Sequence, residues 1–370
     1  MPATINQIYT LVNNVASQSL GTNAISVVDT STLVALGDTV LSSTANVEAF
    51  MNTLVQRIGL EIFSYRRYDN HYSEFVLNDF EWGAIVQKIK VKMVSASQEN
   101  SILTDGNSVD MYVVSKPKAT QKLFTKETPY KFYVTIQREW LKEAFTSGAK
   151  MDGFIAMVYG EVENSINLAL ENLVMSTINN YIAEVSGSAR EIKLVTEYNA
   201  ETGENLNATT AMHSDAFLRF AIRRIKDIGL FMTRMLTMFN DGSETRHTPY
   251  KMQRLQVLGS FEHALETVVQ YQAFNDDYVK LVGYKMVPFF QSAKTPNQVI
   301  VKRASDETET TVSNIVGILF DRDALGIFKK DEWTATTPLN ADGGYFNTFW
   351  HMKELYFNDL SENFVLFTLN

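Results

Sequence analysis

The 370-residue sequence predicts an α+β protein with about two lobes, because this length exceeds what one hydrophobic core usually holds. Apolar residues recur with a helical period from Asp152 to Val185, which predicts one unusually long helix. Between Trp82 and Trp140 apolar and polar residues alternate, as in β-strands with one buried face. A strand, helix, strand order later in the chain predicts a compact α/β lobe.

The overall composition argues against several functional classes. The chain has 33 Lys and Arg against 42 Asp and Glu, and a net charge of −9 disfavours duplex DNA binding through phosphate contacts. The same charge suits a wall that encloses DNA without adhering to it. The absence of cysteine excludes disulfides and thiolate chemistry. Without a signal-peptide pattern or a membrane-spanning apolar run, we expect a soluble cytoplasmic product with no membrane contact.

The N-terminal segment is unusually poor in charge. Residues 1–50 contain no Lys or Arg, so a solvated tail is a poor interpretation and we expect the segment to lie against other protein. One short amphipathic helix is predicted there, because four apolar residues follow a helical spacing: Ile5, Ile8, Val12 and Val15.

Two further helices are predicted before the first strands. Thr30 or Ser31 is expected to cap a helix over residues 33–41. Asn46 is expected to cap a helix that runs to Ile58.

Two runs of period-two alternation predict strands that belong to a long hairpin. In the first run the apolar residues Ile89, Val91 and Met93 alternate with the basic residues Lys88, Lys90 and Lys92. The second run has Tyr130, Phe132, Val134 and Ile136 on its apolar side. Turn residues lie between the runs, so we expect a hairpin that projects from the body and needs a partner. Its lysine face is expected to be solvated; the alternative is pairing with the acidic surface of a neighbouring subunit.

The long helix has a well-defined predicted start and end. Ser147 or Asp152 can cap its start, and Gly187 suits the left-handed residue after its end. Its acidic and amide side chains exclude a membrane span, and the lack of sustained heptads argues against a simple coiled coil. A helix of this length must lie along an extended surface.

The second half of the chain carries the signals of the α/β lobe. Ser214 is expected to cap an amphipathic helix. A strand at 255–258, a helix from Phe261 to about Tyr271 and a strand at 281–288, entered through a glycine turn, follow. Later strands are expected at 315–320, 346–357 and 364–369, and the apolar C-terminus should be docked into the fold.

The sequence contains no recognisable catalytic, phosphate-binding or metal-binding motif. The five histidines lack metal-ligand spacing, and no Gly-rich phosphate loop or nucleophile elbow occurs. Asp321 and Asp323 form the nearest approach to a carboxylate pair, but turn chemistry explains them better. We therefore predict no catalytic, metal or cofactor-binding residues and no enzyme, although a site assembled from distant segments leaves no local signature.

The order of these elements resembles the major capsid proteins of tailed bacteriophages, which have the Hong Kong phage 97-like fold. Residues 46–63, with Leu54-Val55-Gln56-Arg57-Ile58-Gly59-Leu60, are similar to the segment before the extended loop in capsid proteins of small short-tailed phages (podoviruses). Gly283-Tyr284-Lys285-Met286-Val287-Pro288 is similar to a strand entry in the family's axial domain. Gly317-Ile318-Leu319-Phe320-Asp321-Arg322-Asp323-Ala324-Leu325 resembles its late strand and turn.

The resemblance implies a domain organisation for the whole chain. It consists of an N-terminal arm (1–45), a peripheral domain (46–79 and 136–188) with a spine helix at about 152–185, an extended loop (80–135), an axial domain (189–312) and return strands (313–370).

The resemblance also implies assembly rather than catalysis, as hexamers and pentamers of an icosahedral shell around packaged double-stranded DNA. The extended loop is expected to lie over the adjacent subunit, with candidate contacts Asn100, Asp105, Lys116, Lys118 and Lys122. The arm is expected to pack beneath a neighbour through Ile5, Ile8, Val12 and Val15. Expected partners are other copies, a separate scaffolding protein, a portal, and decoration or head-fibre proteins, in a virion assembled in the host cytoplasm.

Three alternatives remain open at the level of sequence. An encapsulin-like nanocompartment shell would use the same fold. A hydrolase with a nonlocal site would show a concave pocket with perturbed titratable groups. A tail or portal component is a further structural option, although a portal is expected to contain more helix.

Overall fold

The computed structural model describes residues 5–21, 24–58, 68–77, 86–91, 116, 118–270 and 284–370. The helices in this part of the chain are α1 (Ile5–Leu20), α2 (Thr30–Leu41), α3 (Thr44–Ile58), α4 (Arg138–Ala144), α5 (Gly148–Val185), α6 (Leu194–Thr202), α7 (Ala208–Ala211), α8 (Asp215–Met232) and α9 (Gly259–Gln270). The strands are β1 (Val76–Leu77), β2 (Val86–Val91), β3 (Ala119–Phe124), β4 (Glu127–Gln137), β5 (Glu191–Lys193), β6 (Gln253–Leu258), β7 (Tyr284–Val287), β8 (Val299–Lys302), β9 (Glu309–Val312), β10 (Ile315–Asp321), β11 (Leu325–Thr336), β12 (Tyr345–Asn358) and β13 (Phe364–Thr368). This mixture confirms the predicted α+β class.

The chain divides into two compact units. The first unit comprises Met1–Trp82, Glu127–Thr177 and Gly326–Tyr356. The second unit comprises Gly83–Lys126, Ile178–Leu325 and Phe357–Asn370. Neither set of boundaries tests the predicted domain limits, which stay a prediction.

The first unit combines N-terminal helices with a four-stranded sheet in the order β1-β11-β12-β4. β4 and β12 are antiparallel, and their register runs from Glu127 opposite Leu355 to Gln137 opposite Tyr345. The core lies between the helices and one sheet face, where Val12, Phe50 and Trp350 are all buried. The second alternating run of the sequence therefore pairs with a strand more than 200 residues later, not with the first run.

The caps of α2 and α3 differ from the predicted ones by one or more residues. Asp29, not Thr30 or Ser31, caps α2, because its carboxylate accepts a hydrogen bond of 2.8 Å from the Thr32 amide. The Asp29 amide donates a hydrogen bond of 3.0 Å to the Thr32 hydroxyl and completes a capping box. α3 begins at Thr44, ahead of the predicted cap Asn46, whose amide donates to the Ser43 hydroxyl at 3.1 Å.

The long helix is present as α5 and begins at Gly148, about one turn before the predicted start. Of the two predicted caps, Ser147 is confirmed, because its hydroxyl accepts a hydrogen bond of 3.3 Å from the Lys150 amide, whereas Asp152 lies inside the helix. Gly187 has a φ of +76°, so the predicted left-handed residue after the helix is confirmed.

The second unit contains a five-stranded sheet in the order β5-β13-β10-β6-β7. β10 lies at its centre, antiparallel to β13 and β6, and all of its residues are buried. Gly317 is required there, because a Cβ at this position would lie 2.9 Å from the Gln256 carbonyl oxygen. β13 is also buried throughout, so the predicted docking of the apolar C-terminus is confirmed.

Two local predictions for this unit are confirmed, a helix cap and a turn. The Ser214 hydroxyl caps α8 by accepting from the Phe217 amide. Asp321 accepts a hydrogen bond of 2.9 Å from the Asp323 amide and begins a short 3₁₀ turn. The interpretation of these two aspartates as turn chemistry is therefore confirmed.

Candidate assembly surface

The base of the predicted extended loop is a two-stranded hairpin in the second unit. β2 and β3 are antiparallel, with Lys88 opposite Lys122 and Lys90 opposite Thr120. All three lysines lie on the same face of the hairpin, because residues two apart and residues directly opposite share a face. Two cations placed directly opposite each other repel, so this face needs counter-charges.

The counter-charges come from the turn between β12 and β13 of the same chain. One oxygen of Asp359 lies 2.6 Å from the Lys90 ammonium and 2.9 Å from that of Lys88, and the other lies 2.9 Å from Lys122. One oxygen of Glu362 lies 2.8 Å from both Lys88 and Lys90. We call these five residues the lysine-carboxylate cluster.

Hydrogen bonds from the second unit fix the position of Asp359. Its amide donates to the Ala324 carbonyl at 2.7 Å, and its carbonyl accepts from the Tyr181 hydroxyl at 2.9 Å. The Ser361 hydroxyl donates to its carboxylate at 2.7 Å and also contacts the Lys90 ammonium. Tyr181 is itself buried and stacks on Phe364 with ring centroids 4.1 Å apart. The carboxylate is therefore preorganised to receive the lysines.

Burial and charge act in opposite directions on the ionisation of this cluster. Burial alone would raise the pKa of Asp359, but the Lys88 ammonium and hydrogen bonds from Lys90, Ser361 and Lys122 outweigh it, and the pKa falls well below its usual range. Burial alone would lower the pKa of Lys88, but the carboxylates of Asp359 and Glu362 outweigh that effect and raise it. Both groups are therefore charged at neutral pH.

The observed pairing overturns the expected solvation of the lysine face. The Lys90 side chain is only 5% exposed, and Lys88 is also largely buried. Their partners belong to the same chain, so neither the solvated face nor the pairing with a neighbouring subunit describes these two residues. The carboxylates lie about 270 residues away in sequence, where no local pattern could connect them to β2.

The opposite face of the hairpin is exposed and carries no charged residue on the two strands. Ile89, Val91 and Leu123 are 65%, 66% and 56% exposed. Gln87 and Gln121 lie beside them, joined by a hydrogen bond of 2.8 Å between their amides. We call these five residues the neutral hairpin face. Exposed apolar clusters of this kind are typical of protein-protein contacts.

The predicted loop contacts lie in different environments. Lys116 and Lys118 are exposed, whereas Lys122 is partly exposed and paired with Asp359. Asn100 and Asp105 lie outside the described residues. Whether any of these residues contacts another subunit stays a prediction.

The predicted arm contacts also divide into two groups. Ile5 is 53% exposed, whereas Ile8, Val12 and Val15 are buried in the core of the first unit. In a single copy their apolar stripe therefore packs on the chain's own helices. Their role in contacts between subunits stays a prediction.

An apolar groove occurs on the first unit, where residues of α4 and α5 line it. Its apolar lining includes Trp140, Phe154 and Met157, and Trp140 and Met157 are 41% and 44% exposed. Its charged members, Glu143 and Lys150, pair at 2.9 Å and add no net charge. The groove has a volume of about 280 Å³. We call it the α4-α5 groove.

Within the described part of the chain, no group of three or more His, Asp or Glu residues is placed to hold a metal ion. No helix in those ranges is long and apolar enough to cross a membrane.

The known proteins that this chain resembles include phage capsid proteins. The family model of the Phi29-like phage major capsid protein matches residues 10–368. The capsid structure of Staphylococcus phage Andhra contains a chain with a TM-score of 0.56 and 10% identity, covering 84% of this chain and 87% of that one. A chain in the structure of the head fiber and inner core protein gp22 of bacteriophage P68 has a TM-score of 0.53 and 11% identity, covering 84% and 87%. No curated protein matches.

At such low identities the structural similarity shows the fold alone. The matched chains agree with the predicted Hong Kong phage 97-like capsid fold.

Proposed function

The chain belongs to the Phi29-like phage major capsid protein family, and from that membership we propose that it assembles as hexamers and pentamers into the icosahedral shell of a phage head. The observation that carries this proposal is the family match over nearly the whole chain. A capsid protein is a structural component of the virion. The family match favours this function over a nanocompartment shell, a hydrolase, and a tail or portal component.

The proposed shell encloses packaged double-stranded DNA without sequence-specific contacts. The net charge of −9 supports this arrangement, because a wall of the same sign as DNA does not retain the polymer. We propose that the shell assembles in the host cytoplasm on a separate scaffolding protein and acquires a portal, with decoration or head-fibre proteins as further partners. The closeness to podovirus capsid proteins is part of the same proposal.

Contacts between subunits are proposed to involve two segments of the chain. The extended loop lies over the adjacent subunit and the N-terminal arm beneath a neighbour, as heterologous contacts that close into rings. The exposed neutral hairpin face supports the first assignment. Many such contacts would stabilise a shell even if each pair is weak.

The test is negative-stain microscopy with light scattering on the purified protein, alone and coexpressed with its genomic neighbours. Closed shells or ring-shaped capsomers are expected. DNA packaging in a portal-containing shell would separate a phage head from a nanocompartment. A protein that stays monomeric even with its neighbours would contradict the proposed function.

A further inference from the structure

We infer that the lysine-carboxylate cluster is a conformational latch, which holds the β2-β3 hairpin with its neutral hairpin face in water before any second copy is present. All the contacts of this latch lie within the second unit of a single chain. Its role in assembly rests on the proposed function, whereas its effect on the hairpin can be measured on the unassembled chain.

The hairpin has two faces, and the more apolar one is the exposed one. On the neutral hairpin face, Ile89, Val91 and Leu123 are 65%, 66% and 56% exposed. Burying such side chains is favourable, whereas burying ammonium groups is costly. The side chains of the hairpin alone therefore favour the orientation opposite to the observed one.

Two shared carboxylates reverse this preference. The Lys90 ammonium lies 2.6 Å from an oxygen of Asp359 and 2.8 Å from one of Glu362. The Lys88 ammonium lies 2.9 and 2.8 Å from the same two groups and also donates to the Asp323 carbonyl at 2.9 Å. Buried charges are tolerated when they are paired and hydrogen-bonded. The observed orientation of the hairpin therefore depends on the two carboxylates.

The carboxylates are anchored by contacts that do not involve the hairpin. The Asp359 amide donates to the Ala324 carbonyl at 2.7 Å, and the Glu362 amide donates to the Asp359 carbonyl at 3.0 Å. The buried Tyr181 hydroxyl donates to the Asp359 carbonyl at 2.9 Å and lies 3.3 Å from the Glu362 carbonyl oxygen. The two acids therefore form the fixed half of the latch, and β2 and β3 form the half that can move away.

Two further contacts lie beside the cluster. The Thr120 hydroxyl donates to the Glu244 carboxylate at 2.6 Å, and Phe124 packs on Phe357 with ring centroids 4.7 Å apart. The cluster itself contains five ion-pair distances between 2.6 and 2.9 Å. The ion pairs are therefore the main contacts that select the orientation.

A latched hairpin presents its neutral face to solvent before assembly begins. A protein binds more weakly when only a fraction of its copies has the competent conformation. With the latch closed, the neutral face is already outside when a second copy arrives. With the latch open, this face is free to fold onto its own chain, and the competent fraction falls.

The absence of cysteine in the native chain allows each face of the hairpin to be followed by thiol labelling. Ile89→Cys reports on the neutral face and Thr120→Cys on the lysine face, and each is combined with Asp359→Asn. We expect a maleimide to label Thr120→Cys several-fold faster and Ile89→Cys several-fold more slowly once Asp359 is replaced. Unchanged rates at both positions would overturn the latch. Faster labelling at both positions would show a hairpin that detaches with its neutral face still in water, and it would also contradict the inference.

A matched control and a second variant keep this test decisive. Glu201→Gln removes the carboxylate of an exposed ion pair with Arg223 in the same unit, and both labelling rates should stay nearly unchanged. Circular dichroism verifies folding. If Asp359→Asn does not fold, Glu362→Gln takes its place with the same expected rates, because it removes the other carboxylate shared by Lys88 and Lys90.

Assembly followed by light scattering tests the consequence for shells. The variant with the opened latch should assemble several-fold more slowly than the native chain. Thr120→Cys and Glu244→Cys are then added, and a short bismaleimide joins these two positions, whose native side chains are in contact. The cross-link should restore most of the native rate, with the untreated protein as control. No recovery would overturn the role of the latch in assembly, whereas a native chain that never assembles would contradict the proposed function and leave the labelling result valid.

Discussion

Lys90 and Asp359 form a buried ion pair, with 2.6 Å between the ammonium nitrogen and the nearer carboxylate oxygen. The Asp359 side chain is fully buried and Lys90 is nearly so. Taking both charges out of water is costly, and only their mutual attraction and the added hydrogen bonds offset that cost. The free energy of unfolding is therefore expected to change most when one partner is removed and the other charge stays buried.

Asp359→Asn is expected to reduce the free energy of unfolding by about 3–5 kcal/mol, because the ammonium groups of Lys88 and Lys90 lose one of their two paired carboxylates and keep Glu362 alone. Chemical denaturation followed by circular dichroism measures the loss. Lys122→Gln is the matched control, since Lys122 is 38% exposed and its loss is expected to cost about 1 kcal/mol or less. Equal effects of the two substitutions would contradict the role assigned to burial.

The contribution of Asp359 is expected to disappear in acid. Its folded pKa is lowered, so the stabilisation is present above the ordinary carboxyl pKa of about 3.9 and is lost as pH falls through the folded value. Lys88, whose folded pKa is raised, contributes below about pH 10.4 and loses that contribution as pH rises through the folded value. The stability difference between the native chain and Asp359→Asn should thus be constant from about pH 5 to 9 and shrink below about pH 4. A difference independent of pH down to about pH 2 would exclude this linkage.

Glu354 is expected to lower the stability of the folded chain near neutral pH, whereas Asp359 raises it. Burial raises its pKa to about 7, with the Lys329 ammonium opposing the shift and Glu332 adding to it. Stability should fall as pH rises from the unfolded carboxyl value through about 7, because the folded chain retains the proton. Glu354→Gln should remove this dependence and stabilise the protein at pH 8 by on the order of 2 kcal/mol. Denaturation curves at pH 5 and 8 provide the test, and identical pH profiles for the two proteins would refute it.

Gly317→Ala is expected to destabilise the second unit by about 1–3 kcal/mol, because the added Cβ would press on a backbone carbonyl that cannot move away cheaply. Gly153→Ala in α5 is a matched control, since its Cβ would have no neighbour within 4 Å. That control should stabilise the chain by about 0.5–1 kcal/mol through its higher helix propensity. Thermal unfolding of the two variants should shift in opposite directions, and a shift of the same sign would show that the close approach at Gly317 is relaxed.

Ile89→Asp is expected to leave a folded monomer that does not assemble. The side chain is 65% exposed, so the charge stays hydrated in the single copy and becomes costly only when another copy covers it. Light scattering measures assembly and circular dichroism measures folding. Val28→Asp, at a 73% exposed position, should assemble normally. If Ile89→Asp forms normal shells, the neutral hairpin face is not part of a contact between subunits.

Local patterns were sufficient for most elements of secondary structure. The apolar period of α5, the Ser147 cap and the left-handed Gly187 were all readable because each depends on residues within a few positions. The same holds for the Ser214 cap of α8 and the Asp321 turn. The cap of α2 was misplaced because Asp29, Thr30 and Ser31 are all competent cap residues, and only the capping box with Thr32 separates them.

The alternation of residues along β2 is enough to predict that this strand has two chemically different faces. Which of the two faces is buried depends on contacts made in the folded chain. Hydrophobicity alone would bury Ile89 and Val91, but Asp359 and Glu362 arrive from the far end of the chain and stabilise the buried lysines instead. The pairing of β4 with β12 was decided in the same way. Contacts between residues hundreds of positions apart depend on how the whole chain packs, and no short stretch of sequence records them.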